Sequence, residues 1–95
     1  MSLPILHTEE GHRGAFFLEV DGARAAALTY SRANASLVIL DHTEVSPSLS
    51  GQGVGRRLLD AAVQWARETQ TRFLVTCPFA KAQFDRDPSI RDVLA

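Results

Sequence analysis

Three groups of residues in this chain are suited to chemistry. The first is the run Ser50-Gly51-Gln52-Gly53-Val54-Gly55-Arg56, with glycine at every second position from 51 to 55. Glycine leaves neighbouring N–H groups uncovered and enters left-handed conformations freely. Where such a run opens a helix, several unpaired N–H groups point outward together, and a phosphate fits there. The second group is His42-Thr43-Glu44. On a strand His42 and Glu44 share one face, about 6.5 Å apart along the chain, while Thr43 and Val45 point the other way. An imidazole of ordinary pKa, or a carboxylate raised by burial, can remove a proton from an amine. The third is Cys77, the single cysteine, followed at once by Pro78. As a nucleophile it needs its thiolate; as a general acid it needs only to reach a departing group. Each group also has a plain structural reading: a turn and helix start, a cross-strand polar pair, and a small buried hydrophobe.

The elements that must position these residues are legible in the period of the apolar pattern. Residues 14–20, GAFFLEV, alternate like a strand, and Asp21-Gly22 is a two-residue hairpin signal leading into ARAAALTYS, 23–31. The alanine run there is helical by propensity, but the hairpin context predicts a strand. RAN at 32–34 reads as the next turn, ASLVILDHTEV at 35–45 as a long third strand, and PILH at 4–7 as a short leading strand. Pro47 ends the third strand. From Gly53 the period changes: Val54, Leu58, Ala62, Trp65, Ala66 and Thr69 recur at helical steps, predicting a helix to about Gln70 with Trp65 in the core. RFLVTC at 72–77 is again strand-like, FAKAQFDRD reads as a short helix, and PSIRDVLA as a last turn with Pro88 at its start. A strand–helix–strand unit implies a right-handed crossover and a parallel pair. The expected fold class is α+β: an antiparallel meander, then the crossover in one mixed sheet, then short C-terminal helices.

Ninety-five residues, 45% of them hydrophobic, predict one domain spanning 1–95 with its own core. One cysteine excludes an intramolecular disulfide and a cysteine-rich zinc site. His-x-Glu also opens a zinc deaminase signature, but that requires a later Pro-Cys-x-x-Cys; here Cys77 precedes Pro78, so no metal is expected. With a net charge of −1 and interspersed signs, no nucleic-acid partner is indicated. The first ten residues lack the pattern of a signal peptide, and no apolar run approaches the roughly 20 residues of a membrane span. The expectation is a soluble cytoplasmic domain without a membrane partner. His7 and His12 have no partner visible in the sequence.

Two common phosphate loops fail on spacing. The Walker loop needs Lys then Ser or Thr after its last glycine, where this chain has Arg56 and Arg57. The dinucleotide fingerprint would need a glycine at position 56. By contrast, Ser50–Gly55 resembles the Q/R-x-x-G-x-G/A motif of the GNAT family of N-acetyltransferases, and Val45-Ser46-Pro47 matches the strand end and proline that precede it. Together with HTEV at 42–45 and CPF at 77–79, the chain from roughly 10 to 94 resembles the small single-domain GNAT-like acetyltransferases, the yjdJ-type N-acetyltransferase domain. FLEVDG near the start and DPSIRDVL at the end fit the same pattern. Ser50 departs from it, standing where the wider family has Gln or Arg.

The resemblance implies a GNAT-like fold and a transferase moving acetyl from acetyl-CoA to an amine. It implies pyrophosphate binding by the loop Gly51, Gln52, Gly53, Val54 and Gly55, with Arg56 as a nearby positive charge. The pantetheine arm would pair with exposed backbone near Val45. Catalytic roles would fall to Cys77 and to Glu44 or His42, with Cys77 expected beside Glu44 and Val45. The alternative is a CoA-binding or protein-interaction module of the same fold without turnover. The acceptor, small molecule or protein, is open in the sequence, and so is the oligomeric state.

Overall fold

The computed structural model describes residues 3–95. In chain order it forms β1 (Leu6–Glu10), β2 (Arg13–Val20), β3 (Ala23–Asn34), β4 (Leu37–Val45), α1 (Val54–Thr69), β5 (Arg72–Val75) and α2 (Pro78–Arg86), with 3-10 turns at Pro47–Leu49 and Pro88–Val93. The strands lie side by side in chain order; β1 to β4 are antiparallel and β5 joins β4 in parallel. This is the expected mixed sheet of an α+β fold. Asp21 and Gly22 both have positive φ, 53° and 80°, as a tight two-residue hairpin between β2 and β3 requires.

Three boundaries differ from the sequence reading. The first strand sits at Leu6–Glu10, later than residues 4–7, because His7 and Glu9 reach across the sheet to Tyr30 and Arg32. Residues 32–34 end β3 instead of turning: the Arg32 guanidinium pairs with Glu9, and the turn moves to Ala35–Ser36, where Asn34 Oδ1 accepts from the Ser36 N–H at 2.9 Å. At the other end β5 stops at Val75. There the Leu40 carbonyl accepts from both Thr76 N–H (2.9 Å) and Cys77 N–H (3.1 Å), so the chain peels off the ladder before Pro78 starts α2.

The core lies on one face of the sheet. Phe16, Leu18, Leu28, Tyr30, Val38, Leu40 and Phe73 are buried there with the apolar stripe of α1: Val54, Leu58, Leu59, Ala62, Val63 and Ala66. The opposite face over β3 and β4 remains open, with Ala27 and Thr29 half-buried and His42 and Glu44 exposed.

A bulge in β4 decides which of its side chains face which way. Tyr30 pairs with Leu40, yet its neighbour Thr29 pairs with His42, leaving Asp41 as an extra residue. In a regular strand, Leu40, His42 and Glu44 would share a face. The bulge reverses the phase, so that Thr43 and Val45 join Leu40 on the core side and His42 and Glu44 go to the open face. Asp41 is fixed by three side chains: its carboxylate accepts from Thr29 (2.5 Å), Ser31 (2.9 Å) and Arg13 (3.2 Å).

Candidate functional site

The glycine loop leaves β4 through the 3-10 turn at Pro47–Leu49 and becomes α1 at Val54. Gly51 (φ 79°) and Gly53 (φ 72°) are left-handed, and a Cβ built on either would meet no atom of the described residues within 4 Å. Gly53 is the N-cap of α1 and offers no side chain to the helix start. The first helical bond runs from Arg57 N–H to Gly53 O at 3.1 Å, so the N–H groups of Val54, Gly55 and Arg56 lie ahead of the ladder. Left-handed residues feeding an uncapped helix start form a concave array of donors. The positive end of the helix dipole lies at the same point.

Gly55 is different. Its φ is ordinary, and a Cβ there would come within 2.9 Å of the Phe79 ring. This glycine lets α1 and α2 approach; only the other two open the loop. The Gln52 side chain turns back to the Ser48 carbonyl (3.4 Å), so its part in the loop is played by its backbone.

A groove of about 520 Å³ runs from this loop along the end of β4. Thr43 and Val45 line it from the strand, Leu49, Ser50, Gly51 and Gly53 from the loop, Arg56 from the start of α1, and Phe79 and Gln83 from α2. It exists because β4 and β5 part company. Their ladder covers only Leu37–Leu40 against Arg72–Val75, and β4 runs on to Val45 without a partner on that side. The result is a strip of unpaired strand backbone leading to the loop.

Arg56, expected as a nearby positive charge, lines the groove with its guanidinium already engaged within the chain. Its guanidinium is shared among Asp60 (2.8 Å), Gln83 (3.0 Å) and Asp87. These carboxylates, Asp87 foremost, raise its pKa further. Asp87 in turn is held down to about 2, chiefly by the Ser89 hydroxyl and then by Arg56. Arg56 therefore ties the start of α1 to the C-terminal turn, and the guanidinium of Arg57 is likewise engaged, on the Leu3 carbonyl. What the loop itself presents to the groove is backbone N–H donors.

The three candidate catalytic residues divide between the two faces. Cys77 is on the core side, only 1% exposed, with Sγ 3.0 Å from Thr43 Oγ1. His42 and Glu44 stand on the open face with Nε2 and Oε1 3.2 Å apart, their side chains 61% and 76% exposed. The expected meeting of Cys77 with Glu44 does not occur, because the Asp41 bulge puts Thr43 beside the thiol. Glu44 instead lines a second groove, of about 540 Å³, on the open face with Arg24, Thr29 and Val45. Val45, at the end of β4, borders both grooves. Neither Thr43 nor Asp41 stood out in the sequence, since a bulge has no period of its own to reveal it.

Residues 15–93 match the family described as GCN5-related N-acetyl-transferase. The chain belongs to that family. This acetyltransferase-family domain is similar along its whole length to a GCN5-like candidate N-acetyltransferase from Staphylococcus aureus, at 32% identity and a TM-score of 0.69, covering 96% of this chain and 88% of that one. It is also similar to Protein NATD1 of Bos taurus, 29% identical over 86 residues, 90% of this chain and 76% of that protein. The fold alone extends to the aminoglycoside N-acetyltransferase AAC(6')-Iy, solved in complex with CoA, at 18% identity and a TM-score of 0.54 over 85% of this chain and 68% of that one.

The residues of the acetyltransferase-family groove fit a pyrophosphate-bearing thioester. Gly51, Gly53 and the uncapped α1 start suit the phosphates, and the free edge of β4 suits an amide-bearing arm. Among the described residues no cluster of His, Cys, Asp or Glu could hold a metal. None of the described helices is long and apolar enough to cross a membrane.

Proposed function

We propose that this domain binds acetyl-CoA in the groove between β4 and α2 and transfers the acetyl group to an amine arriving over the open sheet face. The observation that carries this reading is Val45, which lines the groove of the glycine loop on one side and the groove of Glu44 on the other. A thioester on the core side and an amine on the open side meet at the one place where the strands have parted.

In this scheme the amine nitrogen bonds to the carbonyl carbon, the carbon–sulfur bond breaks, and the electron pair leaves with the CoA sulfur. The proton lost by nitrogen passes to the His42–Glu44 pair, where either residue can take it directly or through water. Both are open to solvent, so the proton leaves readily. The remaining contribution is positioning, which needs few catalytic side chains.

Calorimetric titration with CoA, followed by acetyl-transfer assays on a panel of primary amines, tests this directly. Glu44→Gln and His42→Gln should each keep CoA affinity, and their double variant should lose most of the turnover. Full turnover in the double variant removes both as the base. The exposure of His42 and Glu44 favours a second reading, in which the chain binds CoA without transfer. CoA binding with no acetylation of any amine would establish that reading instead.

A further inference from the structure

We infer that Thr43, with Cys77 behind it, presents the hydrogen-bonding group that faces the sulfur of the acyl donor. This rests on the proposed acetyl-CoA groove and assigns a residue within it. The bulge at Asp41 turns Thr43 to the core side, paired across the sheet with buried Leu28, and its side chain lines the groove together with Val45. Thr43 is the polar side chain that β4 contributes to that groove.

Cys77 does not line the groove. Its backbone is fully used, N–H on the Leu40 carbonyl and C=O accepting from Lys81 N–H (2.9 Å), and its thiol is sealed with Thr43 as its partner. A thiol has one weak donor, whereas a hydroxyl has one donor and two acceptor sites. When Cys77 S–H donates to Thr43 Oγ1, the threonine O–H is free to point into the groove. Thr43 is β-branched and stiff about χ1, so the thiol and the strand together fix where that donor aims.

This arrangement meets a specific need of acyl transfer. As the amine nitrogen bonds to the carbonyl carbon and the carbon–sulfur bond breaks, the electron pair remains on sulfur as a thiolate. Thr43 O–H donates a hydrogen bond to that sulfur while Cys77 S–H donates to Thr43. No covalent bond to the protein forms, and the released thiolate takes its proton from water. Cys77 is thus a positioning residue, and the group that meets the sulfur is a hydroxyl.

The test compares CoA with desulfo-CoA by calorimetry near pH 8.5, where an ordinary thiol is half ionised. The wild-type protein should bind CoA about fivefold more tightly than desulfo-CoA, the scale of one hydrogen bond. Thr43→Val should erase that preference while leaving desulfo-CoA affinity unchanged, Thr43→Ser should restore it, and Cys77→Ala should reduce it partway. In transfer assays Thr43→Val should lower kcat about tenfold with KM for acetyl-CoA unchanged. A preference that survives in Thr43→Val, or is missing from the wild type while both nucleotides bind, overturns the assignment and leaves the CoA groove standing. Failure of both nucleotides to bind overturns the groove itself.

Discussion

The two ends of α1 are built on opposite plans. At its C-terminal half, Trp65 packs into an aromatic cluster in which the His7 ring stacks on Phe16 (4.1 Å, 9° between planes) and Tyr30 lies 5.5 Å from Trp65. Tyr30 is fully buried, and its hydroxyl donates to Glu9 (2.9 Å). Having one proton, that hydroxyl must accept from His7 Nε2–H at 2.7 Å. Arg32 closes the network on Glu9 and sits 5.7 Å over Trp65. At the N-terminal end of the same helix the leading donors have no partner among the described residues, and a groove borders them.

Glycine serves both plans, and the contrast shows how to tell its uses apart. A Cβ on Gly14 would fall 2.2 Å from the Tyr30 ring, and one on Gly55 would fall 2.9 Å from Phe79. These glycines make room for the protein itself. A Cβ on Gly51 or Gly53 would meet nothing among the described residues, and both have positive φ. A crowded glycine is a packing feature; an open one at a helix start leaves its backbone uncovered.

The largest effect should come from filling the closed end. Gly14→Ala should cost about 3 kcal/mol of stability, the upper range for overpacking, read from urea unfolding. Its folded fraction should still bind CoA with wild-type affinity. Stability within about 0.5 kcal/mol of wild type would show that the aromatic end can give way, contrary to its packing.

At the open end the balance should reverse. Gly53→Val should lower CoA affinity at least about thirtyfold by covering loop donors, while costing only about 1–3 kcal/mol for a strained left-handed residue. Affinity unchanged in a folded Gly53→Val protein would remove the loop as the phosphate site.

A smaller effect separates the loop from its neighbouring arginine. Arg56→Gln should cost up to about 1 kcal/mol of stability, since it cuts half-exposed ion pairs. CoA affinity should change by less than about threefold, because that guanidinium is already neutralised. A larger affinity loss, with a shallower salt dependence, would return Arg56 to the phosphate.

The smallest signal is the pH dependence contributed by the closed end. Burial lowers the pKa of His7 from its ordinary 6.5, so the unfolded chain binds more protons there than the folded one. Stability from His7 is therefore present above 6.5 and falls as pH drops through the folded value. Glu9 is also lowered, first by Arg32, so its contribution is present above 4.5 and is lost on further acidification. Urea midpoints measured from pH 8 to pH 4 should show the first decline in wild type and not in His7→Phe. An identical decline in that variant would assign it elsewhere.

Much of this molecule was written in local pattern. The change from alternating to helical period at Gly53 marked where sheet gives way to helix, because side-chain direction along a strand or helix follows from backbone geometry alone. Asp21-Gly22 specified its own turn locally, and the loop glycines were recognisable by their alternate spacing, although only Gly51 and Gly53 take positive φ. Tertiary contact decided the rest. The side of β4 on which His42 and Glu44 emerge depends on one extra residue, Asp41, held by Thr29, Ser31 and Arg13 from two other strands. The charge of Arg56 was spent on Asp60 and Asp87, the latter 31 residues away. Cys77 met Thr43, 34 residues upstream, and not Glu44. Apart from Asp60, one helical turn from Arg56, each outcome joins residues distant in the chain, and no period or spacing along it records which of them will touch.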